Sequence, residues 1–500
     1  MRITNQMMVN SSLANIQVNK GQMSTLDTQL STQKKINKPS EDPIIAIRAL
    51  RLRSSLDQVT QYLGKNIPDA SSWMSVTHDA LDESYDIVSD LYKYCVQGST
   101  DSYSAAERNT IGESLKKLVN AYYSQGDVDY AGRHVFTGFN TDKTLTYQSD
   151  EAAADVDYTI TQSFTRDDLS TKKVYTNAYS NKDIINLDVK KDANGEIITP
   201  NVADVHRLQL AYKDVNAESF NINGTDITLA DDAATASVDV NGVTAAVSKT
   251  TDANAIPGDN DIIINSTTGE VLLGKNVYQK IYTDNEFTFT YNKDNFIKGD
   301  IDPAMYYNCV DNNTGIVYNK EKEDIEYNVN FSQKLKVNTE AEEAFNMYLG
   351  RNVDDLVTAV QNRIDVENQI TQVEGMMKEE AYSDGASQKK LSSILEGLNK
   401  QNDLAKKQMT VAFEKGITQM KGYQQQISNA KADVGNRQTR LELTKSRLTE
   451  QKTNFTSLKS ENEDIDLEEV VINYSSAELV YNASLTAASK VVRQSLLDFL

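Results

Sequence analysis

The chain has 500 residues, a formal net charge of −21 at pH 7 and a hydrophobic fraction of 39%. This length exceeds what one hydrophobic core usually serves and predicts two or more domains, while the acidity argues against a nucleic-acid partner because phosphate binding requires basic patches. The two cysteines, Cys95 and Cys309, are too few and too far apart for a disulfide framework, and no apolar run of roughly 18 residues predicts a membrane span.

An apolar repeat of seven residues occupies the beginning of the chain. Side chains at this spacing form a narrow stripe on one face of a helix, and such a stripe is stable when another helix covers it. We therefore predict an N-terminal helix with an assembly seam made of Val9, Leu13, Ile16, Met23 and Leu30.

The stretch "INKPSEDPIIAIRALRLRSSL" (residues 36–56) predicts a sharp helix start. Asp42 is a good N-cap, and Pro43 suits the first helical position because the N–H that proline lacks would be unpaired there anyway. We expect this cap to mark a boundary between the terminal helix and a helical domain that folds by itself.

Three further apolar stripes follow, and each predicts an amphipathic helix. The first runs from Ile45 to Leu63, the second includes Met74 and Cys95, and the third runs from Ile111 to Tyr122. Pro68 interrupts the first of these helices and is expected to kink or restart it.

Residues 138–338 have a different character, typical of β-structure. The stretches "VDYTITQSF", "DIIINS", "FTFTYN" and "IEYNVNF" combine β-branched and aromatic residues with partial alternation. Asn-Gly pairs at Asn194, Asn223 and Asn241 predict hairpin turns.

Long helices return after Pro303, the last proline of the chain. Leu349 to Ile364 form one apolar stripe, and an apolar residue recurs every seventh position from Phe413 to Phe455. The stretch "YSDGAS" near Gly385 predicts the break between the two helices. The predicted fold class is α+β, a long antiparallel helical bundle or coiled coil built from both chain ends with an inserted β-rich domain.

The predicted domain division follows from these patterns. Residues 1–40 and 465–500 form a terminal coiled-coil assembly module, residues 41–147 and 345–464 a helical bundle domain, and residues 148–344 a surface-exposed β-rich insert. Residues 1–60 hold eight basic and four acidic residues, whereas residues 461–500 hold two basic and eight acidic residues. Opposite charge makes the two ends plausible antiparallel partners.

We expect the C-terminal assembly seam to consist of seven apolar and aromatic residues, namely Val471, Tyr474, Tyr481, Leu485, Val492, Leu496 and Phe499. The alternative is that the two ends are ordinary docked helices with no role between subunits.

No catalytic constellation is found in the sequence. The three histidines are not spaced as metal ligands, and no nucleotide-binding, zinc-protease or nucleophile-elbow motif occurs. "KKDANGEI" (residues 190–197) lacks the later ligands of a calcium loop and is better explained as a hairpin turn. Cys95 lies on an apolar stripe and is expected in the core. We therefore predict no enzyme activity, no cofactor and no metal.

Four stretches resemble the flagellin superfamily. They are "MRITNQMM" (residues 1–8), "INKPSEDPIIAIRALRLRSSLDQVTQY" (36–62), "DYAGRHVFTGFNTDKTLTY" (129–147) and "SAELVYNASLTAASKVVRQSLLDFL" (476–500). The Pro-Ser-Glu-Asp-Pro turn is more similar to the hook–filament junction branch, the third hook-associated proteins, than to filament flagellins. Pro68 and His134 depart from the pattern, and the resemblance covers both ends but not the β-rich insert.

The resemblance implies a non-enzymatic structural subunit of the bacterial flagellum that joins hook to filament. It further implies type III export without a cleavable signal peptide and an extracellular location. Implied partners are other copies in a ring-like layer, a neighbouring hook-associated protein on the hook side, flagellin on the filament side and an export chaperone. A filament flagellin subunit and a secreted adhesin-like interaction protein are the alternatives; the latter would carry its function in residues 148–340.

Overall fold

The computed structural model describes residues 5–100, 103–229 and 235–497. Its helices in chain order are α1 (Asn5–Thr32), α2 (Pro43–Gln61), α3 (Ile67–Gly98), α4 (Ala105–Ser124), α5 (Asp150–Ala154), α6 (Asn181–Asn186), α7 (Lys275–Asp284), α8 (Ala341–Ala344), α9 (Tyr348–Met376), α10 (Gly385–Glu463) and α11 (Leu467–Leu497). None of the helices in the described ranges is long and apolar enough to cross a membrane.

The strands lie between α4 and α8. They are β1 (Asp129–Tyr130), β2 (Arg133–His134), β3 (Tyr158–Phe164), β4 (Ser170–Thr176), β5 (Asn201–Gln209), β6 (Asn216–Ile222), β7 (Thr225–Thr228), β8 (Thr235–Val240), β9 (Val243–Thr250), β10 (Asp261–Asn265), β11 (Glu270–Leu273), β12 (Phe287–Lys293), β13 (Asn308–Asp311), β14 (Val317–Tyr318), β15 (Glu326–Asn330) and β16 (Gln333–Lys336). The α+β fold class, with long helices from both chain ends and a β-rich region between them, is confirmed.

The strands form two six-stranded sheets and two hairpins. One sheet has the order β4-β5-β11-β10-β9-β8, and the other has the order β14-β13-β3-β12-β6-β7. Strands β9 and β10 pair in parallel, from Asp261 opposite Ala246 to Asn265 opposite Thr250. The hairpins are β1-β2 and β15-β16.

The chain divides into two compact units. The terminal unit comprises residues 1–71, 327–335 and 439–500, and the central unit comprises residues 72–326 and 336–438. The domain limits expected from the sequence, at residues 40, 147, 344 and 464, remain predictions.

The helical stripes read from the sequence lie in the interior of each unit. Met74, Leu81, Val88 and Cys95 are fully buried in the central unit. Gly98 lies so close to the ring of Phe413 that a Cβ at this position would overlap the aromatic carbons. The seven-residue repeat of α10 is buried from Phe413 to Val434 in the central unit and at Leu441 and Leu448 in the terminal unit, and its last member, Phe455, is half-buried. These helix predictions are confirmed.

A π-helical turn accommodates Pro68 without ending the helix. The turn, Tyr62–Asn66, follows α2 directly, and α3 begins at Ile67, whose N–H donates to the Tyr62 carbonyl five residues earlier. This wider turn replaces the α-helical spacing just before Pro68, where an α-helical carbonyl would meet the proline ring. The expected interruption is confirmed.

The Asn-Gly turns form as the sequence predicts. Asn223 and Gly224 have φ angles of 48° and 85°, and Asn241 and Gly242 have φ angles of 53° and 94°. Two successive positive φ angles characterise the type I′ turns that match the twist of paired strands. In "KKDANGEI", Lys191 pairs with Ile197 across a tight turn, so this segment is a hairpin turn.

Candidate assembly interface

The two chain ends pair as antiparallel helices inside the terminal unit. Asn19 on α1 donates a hydrogen bond from Nδ2 to Oγ of Ser484 on α11, 2.8 Å away. Just after the end of α1 and just before the start of α11, Lys34 forms a β-bridge with Asp464. Because the residue number rises on one helix as it falls on the other, the helices run in opposite directions.

On α1, most of the half-buried side chains follow an alternation of three and four residues. They are Val9, Ser12, Ile16, Asn19, Met23, Leu26 and Leu30, and Gln29 beside Leu30 is half-buried as well. Val9, Ile16, Met23 and Leu30 from the predicted seam are in this set, whereas Leu13 is 52% exposed on another face. Two polar residues, Ser12 and Asn19, occupy positions where a dry coiled coil would have apolar ones.

On α11, the more buried stripe consists of Val470, Tyr474, Ala477, Tyr481, Ser484 and Ala488. Tyr474 and Tyr481 from the predicted seam lie on this stripe, whereas Val471 and Leu485 are 45% and 42% exposed. The side chains of Val492 and Leu496, and the whole of Phe499, lie outside the described residues.

The contact between α1 and α11 is incompletely filled. A groove of about 570 Å³ runs between the helices and is lined by Asn19, Gln22, Thr25, Leu26, Asn473, Ser476, Ala477 and Val480. Large apolar side chains also point away from the partner helix. Ile472 is 65% exposed, Leu479 is 72% exposed and Val18 is 60% exposed. The pair by itself therefore leaves much of its apolar surface in water.

The base of this pair is closed by two loops joined through their backbones. The Lys35 N–H donates to the Glu463 carbonyl at 2.8 Å, and the Ile465 N–H donates to the Gln33 carbonyl at 3.3 Å. Gln33 has a φ of 58°, which ends α1 and turns the chain toward Asp464. Because the two loops are bonded to each other, the register of α1 against α11 is set at this end.

Charged side chains reinforce the same closure. Arg53 on α2 donates from Nε and Nη2 to the two carboxylate oxygens of Glu463, both at 2.7 Å. The Lys34 ammonium lies 2.5 Å from Asp464 and 3.6 Å from Glu463. We call Lys34, Arg53, Glu463 and Asp464 the polar clasp. The Glu463 side chain is only 4% exposed, so its charge depends on these cations.

The clasp shifts the pKa values of its members in the directions that favour the charged forms. The hydrogen bonds from Arg53 lower the pKa of Glu463. The hydrogen bond from Lys34 lowers the pKa of Asp464, and the same contact raises the pKa of Lys34. All four groups are therefore ionised together near neutral pH.

The helices α2 and α11, which begin near the polar clasp, each have an aspartate as N-cap. Asp42 accepts hydrogen bonds at Oδ1 from the N–H groups of Ile44 and Ile45, at 2.9 and 3.1 Å, with Pro43 at the first helical position. Asp466 caps α11 by accepting from Glu468 N–H at 3.0 Å. The role of Asp42 and Pro43 as a domain boundary stays a prediction.

The β15-β16 hairpin also belongs to the terminal unit. Its Phe331 ring meets the Tyr62 ring edge-on at 5.8 Å, and the Asn66 side chain donates to the Asn328 carbonyl at 2.7 Å. The Tyr327 hydroxyl donates to Asp69. The hairpin thus contacts both the π-helical turn and the first turn of α3.

Sequence reasoning missed the clasp and this hairpin contact. The charge difference between the chain ends indicates that Lys34 and the acidic segment after residue 460 attract each other, but Arg53 is one of several arginines on α2. Only the position of Arg53 opposite the end of α10 distinguishes it from Arg48 and Arg51.

Two further kinds of chemical site to consider are a metal-binding cluster and a reactive cysteine. Across the three described ranges, no group of three or more His, Cys, Asp and Glu side chains could hold a metal ion. Burial raises the pKa of Cys95 to about 12, so its thiol stays protonated and unreactive near neutral pH. The expectation that Cys95 is a core residue is confirmed.

The two chain ends form one helical module in the terminal unit. Residues 3–141 match the N-terminal helical region of bacterial flagellin, and residues 417–500 match its C-terminal helical region. Both matched regions contribute to the pair formed by α1 and α11. The two ends of the chain are thus similar to the two helical regions of bacterial flagellin.

Two curated relatives match part of the chain, and both are named as flagellar proteins. The chain is 26% identical to flagellar hook-associated protein 3 of Salmonella typhimurium over 144 residues, which is 28% of this chain and 45% of the relative. It is 26% identical to a flagellin of Clostridium tyrobutyricum over 145 residues, which is 29% of this chain and 36% of the relative. These alignments span less than half the length of either relative.

Solved structures of hook-associated proteins are also similar. A putative flagellar hook-associated protein from Vibrio parahaemolyticus is 10% identical, with a TM-score of 0.35, over 85% of this chain and 100% of that one. FlgL from Xanthomonas campestris is 11% identical, with a TM-score of 0.30, over 82% of this chain and 99% of that one.

Proposed function

We propose that this chain is a non-enzymatic structural subunit of the bacterial flagellum and acts as an adaptor that joins the hook to the filament. The observation that carries the proposal is the pairing of the two flagellin-type chain ends, α1 with α11, which leaves large apolar side chains in water. A surface of this kind needs further neighbours, and other subunits of the same layer supply them.

The physical basis for assembly is the apolar area that the pair alone cannot bury. Ile472 and Leu479 are mostly exposed on α11, and Met7 is 60% exposed on α1. Burial of such side chains in a subunit interface is worth about 1.5–3 kcal/mol each. The predicted seam residues Leu13, Val471 and Leu485, which do not face the partner helix, are available for contacts between copies.

An adaptor role is supported over a filament role by the turn that precedes α2. The Pro-Ser-Glu-Asp-Pro stretch (residues 39–43) resembles the junction branch of the superfamily. A filament flagellin is the second candidate, because a flagellin matches this chain at the same 26% identity as a hook-associated protein.

The proposed partners follow from this position in the flagellum. They are other copies in a ring-like layer, a neighbouring hook-associated protein on the hook side, flagellin on the filament side and, before assembly, an export chaperone. The subunit would leave the cell through the flagellar type III route without a cleavable signal peptide and would reside outside the cell.

Deletion of the gene in the source bacterium tests the adaptor role. We expect hooks to remain, flagellin to accumulate in the medium and the wild-type gene to restore filaments. Normal filaments on the deletion strain would contradict the adaptor role. Long polymers formed by the purified chain alone would instead favour a filament subunit.

A variant without the β-rich insert tests the adhesin-like alternative. Replacing residues 150–320 by a short Gly-Ser linker removes both six-stranded sheets but retains the β15-β16 hairpin that contacts the π-helical turn and α3. An adaptor should retain some motility in this form. Complete loss of function with normal secretion and assembly would assign the function to the insert.

A further inference from the structure

Two exposed faces of the terminal unit are apolar and carry opposite charge. The first lies on α2, on the exposed surface outside its buried residues Ala46 and Ala49. We call it the basic patch, and it consists of Ile44, Ile47, Arg48, Leu50 and Arg51. Ile44 is 66% exposed and Leu50 is 64% exposed, which is unusual for large aliphatic side chains so close together.

The second face lies at the beginning of α11, on the exposed surface beside and opposite the stripe that contains Val470 and Tyr474. We call it the acidic patch, and it consists of Leu467, Glu468, Val471, Ile472, Glu478 and Leu479. Its apolar members are all exposed, from 45% at Val471 to 72% at Leu479. The helical spacing of these residues brings them onto one half of the α11 surface.

Among the residues that the structure describes, no ion pair neutralises the charges of either patch. Neither Arg48 nor Arg51 makes an ion pair with any residue the structure describes, in contrast to Arg53 in the polar clasp. Glu468 and Glu478 likewise have no cationic partner among the described residues. Each patch therefore combines apolar surface with free charge of one sign.

We propose that the basic patch of one copy docks on the acidic patch of the next copy. This inference rests on the proposed function, in that it supplies the contact by which copies form a layer. Apolar side chains on both faces provide area to bury, and the opposite charges select the partner and its orientation.

A contact between two different patches is heterologous. Self-pairing of the basic patch would bring arginines against arginines, and self-pairing of the acidic patch would bring glutamates together, so a two-fold dimer is disfavoured at either face. Heterologous contacts propagate from copy to copy and close into a ring or continue as a helical layer. This geometry suits a layer between two tubular structures.

Disulfide cross-linking between separate copies tests the contact directly. Both native cysteines are buried, so introduced cysteines are the reactive ones on the full-length chain. One batch carries Ile47→Cys and the other Ile472→Cys, and the two are mixed under mild oxidation at low salt. Since each chain holds one new cysteine, the mixed cross-link can form only between copies.

We expect the mixed dimer to form about tenfold faster than either homodimer, and the preference to fall as salt is raised. The matched control pairs Ile47→Cys with Leu443→Cys, an exposed position on α10 that lies outside both patches. Equal rates for the mixed pair, the homodimers and the control pair would overturn the proposal.

Charge reversal provides an independent readout. The double variant R48E/R51E should slow the mixed cross-link, and combination with E468R/E478R on the other chain should restore it. Absence of rescue when both variants remain folded by circular dichroism contradicts the pairing. Because these experiments use purified protein, they can fail while the hook–filament role of the gene stands, and the reverse also holds.

Discussion

The Arg53 guanidinium binds the Glu463 carboxylate through two parallel hydrogen bonds of 2.7 Å, joining residues 410 positions apart in the chain. Bidentate arginine–carboxylate pairs are geometrically specific, because both planes must align. This pair connects α2 to the last residue of α10, directly beside the backbone bonds between Lys35, Glu463 and Ile465. This charge-assisted contact therefore adds to the backbone bonds that close the base of the terminal helix pair.

Removal of the guanidinium should loosen this base. We expect Arg53→Met to destabilise the terminal unit by about 1–2 kcal/mol, because the buried Glu463 carboxylate is left with Lys34 alone. The loss stays small because the Arg53 side chain is half exposed. Arg51→Met on the same helix is the control, since Arg51 has no ion-pair partner in the described chain. Amide hydrogen exchange in the first turns of α11 measures the effect. Equal protection in both variants would rule out a structural role for the pair.

Acid should open the same contact. The pKa of Glu463 lies below its ordinary value of 4.5 because Arg53 hydrogen bonds the charged form, and the pKa of Asp464 lies below 3.8 because of Lys34. A carboxyl group with a lowered folded pKa stabilises the fold above its unfolded pKa, and this contribution is lost as the pH falls through the folded value. Exchange protection at the base of α11 should therefore fall from about pH 5 to about pH 3, and less steeply in Glu463→Gln.

A second buried ion pair holds the central unit. Arg207 on β5 bonds Glu270 on β11 and Asp355 on α9, and both Arg207 and Glu270 are nearly inaccessible to water. Burial raises the pKa of Glu270, but the charges of Arg207 and Lys172 outweigh it and bring the pKa to about 2. Arg207→Met should cost about 3–5 kcal/mol, because Glu270 then remains buried with one cation fewer.

The double variant R207M/E270Q checks the interpretation of that loss. It removes both charges, so urea unfolding should give a smaller loss of stability than Arg207→Met alone. An equal or larger loss in the double variant would mean that the unpaired charge of Glu270 is not the source of the loss. In the wild type, this contribution should decline as the pH falls from about 4.5 toward 2, with the sign expected for a lowered carboxyl pKa.

Shortening a buried side chain in the seven-residue repeat of α10 should strongly lower the free energy of unfolding. Ile427 is fully buried, and Ile427→Ala is expected to cost about 2–5 kcal/mol in urea unfolding of the central unit, because a cavity replaces the lost methyl groups. Val411→Ala on the same helix is the control, since Val411 is 54% exposed and should change stability by less than about 0.5 kcal/mol. Similar effects at both positions would contradict the assignment of the buried face.

Two variants in the predicted C-terminal seam should distinguish an effect on folding from an effect on assembly. Leu485 is 42% exposed and does not face α1, so Leu485→Asp should leave the stability of the isolated chain nearly unchanged but prevent incorporation into the flagellum. Tyr481→Asp should weaken both, since Tyr481 lies on the stripe toward α1. The measurements are the secretion of each variant, its incorporation into the flagellum and its thermal unfolding curve. Normal incorporation of Leu485→Asp would remove Leu485 from the interface.

Much of the helical framework could be predicted because its signals are local. Apolar residues at every seventh position place Phe413 to Leu448 on one face of a helix, and the buried face of α10 follows that face. Asp42 followed by Pro43 satisfies the free N–H groups at the start of α2 regardless of what surrounds it. Asn-Gly at residues 223–224 and 241–242 specifies turns through the positive φ angles that these residues tolerate.

The sequence by itself therefore determined which segments are helices or hairpins and which face of each helix is apolar, since both depend on neighbours a few positions apart. The tertiary structure alone decided which partner covers each face. In the folded chain, Ser12 and Asn19 lie on the half-buried stripe of α1, whereas Leu13 is exposed. Arg53 is the arginine of α2 that binds Glu463, and the Phe331 ring packs against Tyr62. These choices join residues tens to hundreds of positions apart, and their free energy depends on geometry that no local pattern contains.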